Sequence, residues 1–359
     1  MINVTKTFLP DIKSYERYVS SIFTSGRITN YGPLNELLEK RLEEYLGVEN
    51  LILVANGTLA LQLAYKLLGL KGEVITTPFS FVATTSSIVW EGMRPVFADI
   101  DYSTLNIDYR EIEKKITSET SAIVPVHVFG NACDVENIDI LAENYGLKVV
   151  YDAAHAFGVK YKGNSILNFG DISTLSFHAT KLFHTIEGGA LIIKNPEVYK
   201  RARKIIDFGI DGPDRIVSLG INAKMNDFQA AMGLCVLENI NYILGSRKVA
   251  YERYVKAFSH NDNIKLQFLS PNMSYNYSYF PIIFKSEAVM LKVRDKLNSK
   301  DIFPRRYFYP SLDNLNYVDS DFMSNSNSVA ERILCIPLYD SLSEYDQSRI
   351  IDVIVTETN

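Results

Sequence analysis

The sequence predicts an α/β protein with a large domain on a mostly parallel seven-stranded sheet and a smaller C-terminal α+β domain. Three observations predict it. The 359 residues exceed the usual reach of one hydrophobic core. Short β-branched runs alternate with helical patterns through the first two-thirds of the chain, as strands of a parallel sheet do. From about Ile240 that alternation gives way to short strands and helices of a different rhythm, which sets the expected division at 1–240 and 241–359.

The strand runs, in order, are "LILVA" (51–55), "EVITT" (73–77), "RPVFAD" (94–99), "SAIVPVHV" (121–128), "KVVYD" (148–152), "STLSF" (173–177) and "ALIIK" (190–194). Between the earlier runs, "TLALQLAYKLLG", "FVATTSSIVWEG", "YREIEKKI" and "DVENIDILAENYG" place apolar residues every three or four positions. Several of them end in Gly, as a helix C-cap does. The last two strand runs have no helix between them, so one is expected to enter antiparallel. A long helical segment, "AKMNDFQAAMGLCVLENI", follows. Beyond it lie a helix around "SRKVAYERYVKAF" and strands at "SYFPIIF" and "ERILCIPL".

Bulk composition excludes several classes. Net charge is −5 with no basic cluster, so the electrostatic footprint of a nucleic-acid binder is missing. Cys133, Cys235 and Cys335 are far apart and form no CxxC pair, which argues against a disulfide framework or a metal site. No stretch reaches the roughly 18 apolar residues of a membrane span, and no cleavable leader is visible, so a cytoplasmic protein is expected.

A sheet of this kind places its ligands at the carboxyl ends of its strands. After the first strand comes "NGTLAL", where Gly57 allows close backbone approach and the helix start offers N–H groups to an anion; taken alone, Thr58 reads first as an N-cap. No GxGxxG fingerprint occurs, which argues against a nicotinamide enzyme. After the second strand, Phe81 of "PFSFVAT" reads as core or as a flat face for a planar cofactor. Asp152 ends an apolar run, where a lone carboxylate is costly unless a cation faces it, and His155 follows; a capping Asp with a satisfied His reads equally well. Then comes "SFHATKLFHTIEGGAL" (176–191), with Lys181 in a loop and Gly188-Gly189 permitting a tight return. A loop lysine alone is ordinarily solvated. A phosphate nest, an aromatic plate, a carboxylate and a lysine on successive strand ends are what pyridoxal phosphate (PLP) needs.

The segments "NGTLAL", "PFSFVAT", "DAAHAFG", "SFHATK…EGGAL" and "GINAKMNDFQAA" resemble, in order and spacing, the DegT/DnrJ/EryC1/StrS family of nucleotide-sugar aminotransferases. The resemblance implies the fold-type I aminotransferase architecture and a homodimer with active sites at the subunit interface. It implies Lys181 as the Schiff-base lysine and Asp152 as the partner of the pyridine nitrogen. Thr58 and Leu59, through their backbone, and Ser176 would hold the phosphate, and Asn222 would reach it from the other subunit. Phe81 would stack on the ring. His155 stands where many members carry Gln and would meet the ring hydroxyl; Ile221 replaces the aromatic of the family's "GYN". Lys181 disfavours the dehydratase branch, which has histidine there. His178 and His184 are secondary in this reading.

The activity implied is a two-step transamination with glutamate as donor and a keto-sugar nucleotide as acceptor, in the making of a deoxyamino sugar for O-antigen or another surface polysaccharide. The motif style resembles members acting at C-4 of dTDP-4-keto-6-deoxyglucose; C-3 amination, a UDP-linked 4-keto sugar and a PLP-binding regulator without turnover are the alternatives. Arg27 of "SGRITNYGP" and Arg305 and Tyr309 of "FPRRYFYP" are candidates for meeting the sugar nucleotide, with surface roles as the other reading.

Overall fold

In the computed structural model, which describes residues 1–358, seven strands form one sheet. They are β1 (Leu51–Val54), β2 (Glu73–Thr76), β3 (Arg94–Phe97), β4 (Thr120–Val124), β5 (Lys148–Asp152), β6 (Ile172–Ser176) and β7 (Gly189–Ile193). Their order is β1-β7-β6-β5-β4-β2-β3. All run parallel except β7, which is antiparallel to both β1 and β6. The strand expected to enter antiparallel is therefore the seventh.

These strands are buried on both faces, and successive side chains enter opposite cores. Leu51, Leu53, Val149, Tyr151, Ala190 and Ile192 pack on one side; Ile52, Val54, Val150, Leu191 and Ile193 pack on the other. The connecting helices are α1 (Gly57–Leu68), α2 (Val82–Trp90), α3 (Tyr109–Glu113) and α4 (Val135–Tyr145). After β7 come α5 (Pro196–Ile205), α6 (Asp227–Glu238) and α7 (Ile240–Phe258). The long helical segment read from the sequence is α6, and the helix read around "SRKVAYERYVKAF" is α7, which starts earlier, at Ile240. Two further helices, Ile12–Ser25 and Pro33–Leu46, precede β1 and have no counterpart in the sequence reading.

The C-terminal part has its own three-stranded sheet, of β8 (Ile264–Leu266), β9 (Phe280–Phe284) and β10 (Ile333–Ile336), with β9 central. Helices α8 (Glu287–Asn298) and α9 (Glu344–Thr358) pack on it around Phe280, Ile282, Val293, Leu334 and Ile350. Ile2–Asn3 pair in parallel with Ile302–Phe303, so the first residues of the chain lie with this C-terminal layer.

Candidate active site

The carboxyl ends of β1, β2, β4, β5 and β6 and the connection from β6 to β7 open on one cleft of about 330 Å³. Its lining includes Asn56, Gly57, Thr58, Phe81, Asp152, His155, Ser176 and Lys181. At the end of β1 the cap of α1 is Asn56, whose Oδ1 accepts the N–H of Leu59 at 2.9 Å. Thr58 is therefore an exposed first-turn residue and not the cap. Leu59 N–H already has an acceptor, so Gly57 and Thr58 present the unengaged N–H groups expected at a helix start. Gly57 is required by contact: a Cβ there would lie 2.8 Å from Ser176 Cβ. Gly189 is required likewise, since its Cβ would lie 2.8 Å from Gly57 N. The ends of β1 and β6 and the start of β7 thus close around a backbone cradle, with Ser176 beside it.

Asp152 is buried at the end of β5. Its Oδ2 accepts from Thr84 Oγ1 at 2.8 Å and its Oδ1 from Ala154 N–H at 3.1 Å. Burial pushes its carboxyl above the usual range, opposed by these two hydrogen bonds and by the charge of Lys181. Thr84 is bonded in turn to Ser80 Oγ at 2.9 Å. Sequence reasoning missed this Ser80–Thr84 relay, although the i, i+4 hydroxyls inside "PFSFVAT" were a signal for it.

Lys181 is partly buried, and desolvation brings its amine down from 10.5 to about 8, with Asp152 pulling the other way. His155 is held neutral by burial, its pKa well below the ordinary value. Its Nδ1 accepts the N–H of Phe129 at 3.2 Å, which assigns the ring proton to Nε2. The ring lies nearly parallel to those of Phe129 (6.1 Å, 2°) and Phe308 (5.9 Å, 5°). Phe81 is 57% exposed. The core reading of that residue gives way to an open ring at the cleft.

Asn222 is exposed and does not line the cleft of its own chain. Of the other candidates, Arg27 donates to the carbonyl of Tyr31 within its own loop (3.2 Å). Arg305 is exposed over the ring of Tyr307 (5.6 Å), and Tyr309 lies under Arg306 (3.5 Å). None of the three lines the cleft; Tyr307 and Phe308 of the same stretch do, with Tyr279. His184 is buried and bonded to the carbonyl oxygen of Phe8 at 2.7 Å.

The donor set matches PLP in kind. An anion cradle at a helix start with a hydroxyl beside it suits the phosphate. A buried carboxylate suits a protonated ring nitrogen, an imidazole N–H suits a ring hydroxyl, and an amine of lowered pKa suits the carbonyl carbon. No cluster of three or more metal-ligating side chains occurs among the described residues, and no described helix is long and apolar enough to cross a membrane.

Comparison with known proteins gives a consistent picture. The model of the DegT/DnrJ/EryC1/StrS aminotransferase family matches residues 11–355. A dTDP-4-amino-4,6-dideoxy-D-glucose transaminase of Shigella dysenteriae is 43% identical over 361 residues, covering 99% of this chain and 97% of that protein. One of the same description from Escherichia coli is 39% identical, covering 96% and 95%. The crystal structure of DesI in the presence of its TDP-sugar product superposes with a TM-score of 0.94 at 29% identity, covering 100% of this chain and 93% of that one.

Proposed function

This chain belongs to the DegT/DnrJ/EryC1/StrS aminotransferase family, and from that premise we propose that it aminates C-4 of dTDP-4-keto-6-deoxyglucose with glutamate as donor and PLP as cofactor. The observation that carries the reading is the meeting of Lys181, Asp152 and the Gly57–Thr58 cradle in one cleft. The two curated relatives described as dTDP-4-amino-4,6-dideoxy-D-glucose transaminases support the choice of sugar.

In this reading Gly57 and Thr58 N–H and Ser176 Oγ bind the phosphate, Asp152 faces the ring nitrogen, His155 Nε2–H meets the ring hydroxyl and Phe81 covers a ring face. When bound, PLP supplies the electron sink and the temporary carrier of the amino group. Nζ of Lys181 is the base. With a pKa of about 8, a useful share of it is neutral near pH 7, so it can take the donor's α-proton and later return a proton to the acceptor carbon. The buried carboxylate of Asp152 holds its charge toward the ring through the Thr84 and Ala154 hydrogen bonds.

The working unit in this reading is a cytoplasmic homodimer of 1–240 and 241–359 domains. Asn222 sits on a loop whose neighbours Ile216, Leu219 and Ile221 are exposed, an apolar surface that suits a second copy of the chain. The test is to offer dTDP-linked 4-keto and 3-keto sugars and the UDP-linked 4-keto sugar separately and identify the amino sugar by NMR. Turnover of the dTDP 4-keto sugar is expected. Turnover of the 3-keto sugar alone, or of none, overturns the assignment.

A further inference from the structure

Among the polar side chains on the cleft that the groups assigned so far leave without a task are His178 and Glu187. Both come from the connection between β6 and β7 that also carries Lys181. His178 Nδ1 accepts the N–H of Thr180 at 3.2 Å and lies 2.8 Å from its hydroxyl. The ring proton is thereby placed on Nε2, which faces Glu187 Oε1 at 3.5 Å.

The turn that presents Glu187 is unusually constrained. Ile186 has φ +70, a left-handed conformation that a β-branched residue adopts only under compulsion from its surroundings. Its N–H donates to His184 Nδ1 at 3.3 Å, and Thr185 Oγ1 donates to the carbonyl of Glu187 at 2.8 Å. His184 is anchored to Phe8. Strain of this kind, held by bonds on both sides, fixes the direction of the following residue.

Charge decides what Glu187 can bind. Among the described residues of one chain, Lys181 is the one lysine or arginine lining the cleft. A second carboxylate there repels the carboxylates of an amino donor and the diphosphate of a nucleotide. It accepts charge-assisted hydrogen bonds from neutral hydroxyls. The lining also carries four aromatic rings, those of Phe81, Tyr279, Tyr307 and Phe308. A carboxylate–imidazole pair set among rings fits a hexose, which offers hydroxyls at its edge and C–H groups on its faces.

We propose that Glu187, oriented by His178, binds the hydroxyls of the keto-sugar and so sets selectivity for the sugar, an inference that rests on the nucleotide-sugar reading above. The test is calorimetric titration of the PLP-loaded dimer with dTDP and with the dTDP-linked 4-amino sugar. Glu187→Gln is expected to weaken the sugar nucleotide about 10- to 100-fold and to leave dTDP within about twofold. The glutamate half-reaction, followed by loss of the cofactor's visible absorbance, is expected to keep its rate or to quicken, because the substitution removes a charge that repels the donor's carboxylates. His178→Ala should reproduce the sugar defect in weaker form. Sugar-nucleotide binding unchanged in Glu187→Gln overturns the proposal, and so does a glutamate half-reaction slowed as much as sugar binding is weakened. Failure of the unsubstituted protein to bind the sugar nucleotide better than dTDP would instead remove the substrate reading on which the proposal stands.

Discussion

The floor of the cleft and its wall are built by different means. Asn56, Asp152 and Ser176 stand at the last residue of a strand or within two of it, and a helix cap or a ladder pairing fixes each. The wall around His155 depends on a segment more than 100 residues downstream. Asn276 Nδ2 donates to the carbonyls of His155 (2.8 Å) and Phe157 (3.0 Å), and Ser278 Oγ donates to His155 O (3.0 Å). Tyr275 OH donates to Phe129 O at 2.9 Å. Buried Arg247 braces that segment by donating to the carbonyls of Tyr277, Ser278 and Leu338. The floor is local geometry, which tolerates little change at the reacting groups. The wall is a network of side-chain to backbone bonds, whose loss should register first in stability and cofactor affinity.

The largest effect should come from the floor and from the lysine that the next loop carries over it. Lys181→Ala is expected to lower turnover at least about 10³-fold while PLP still binds, without the visible-violet band of the lysine-bound cofactor. In the cofactor-free protein, labelling of Lys181 by an amine reagent should rise with pH through a midpoint near 8. The carboxylate of Asp152 raises that value, so Asp152→Asn should move the midpoint lower still. Turnover by Asp152→Asn is expected to fall about 10²- to 10³-fold. A midpoint near 10.5 in the unsubstituted protein would mean that the amine is solvated.

Thr84→Val probes the floor one bond further out. The Thr84 hydroxyl lowers the Asp152 pKa. Its removal should raise that pKa, so the acid limb of the pH–rate profile moves to higher pH. Ser80 also loses its partner, so stability should fall by about 1–2 kcal/mol, read by thermal unfolding. An unmoved acid limb would show that the Thr84 bond does not tune the carboxylate.

Legibility in the sequence follows the same division. The strand-end positions of Asp152, Phe81 and the "NGT" loop were readable because strand periodicity and a few flanking residues place them. Lys181, which alone reads as a solvated loop lysine, stood out only in combination with them and through the family resemblance. The seven strands were readable for the same reason, and the missing helix between the last two showed that one of them enters antiparallel, though not which. Hidden from the sequence were the cap at Asn56 in place of Thr58, the early start of α7 at Ile240, and the wall residues Tyr279, Tyr307 and Phe308. A Tyr 124 residues from His155 carries no local pattern that announces contact with it. The Arg305 and Tyr309 candidates show the limit: their loop reaches the cleft through Tyr307 and Phe308, and which of its side chains turn that way depends on tertiary packing.

The wall should answer differently. Asn276→Ala removes the donors to two buried carbonyls and the acceptor for Ser278 N–H (3.2 Å). A loss of about 2–3 kcal/mol is expected, with weaker PLP binding in titration and turnover at saturating PLP within about tenfold of normal. A collapse of turnover at saturating PLP, with stability unchanged, would erase the distinction between floor and wall.

His155→Gln should have the smallest effect and tests the wall most narrowly. The histidine supplies an acceptor for Phe129 N–H at Nδ1 and, at Nε2, a donor toward the cleft. A glutamine amide carries one of each, Oε1 for the Phe129 N–H and Nε2–H for the cleft. Burial holds His155 neutral, so the substitution changes no charge and should leave the shape of the pH–rate profile unaltered. What it removes is the ring packed parallel to Phe129 and Phe308, worth about 1 kcal/mol. Turnover within about threefold and a small fall in melting temperature are therefore expected. His155→Leu, which keeps bulk but offers neither donor nor acceptor and strands the Phe129 N–H, should cost more in both. If Gln and Leu behave alike, the hydrogen bonds of His155 are irrelevant and its ring stacking alone accounts for its place in the wall.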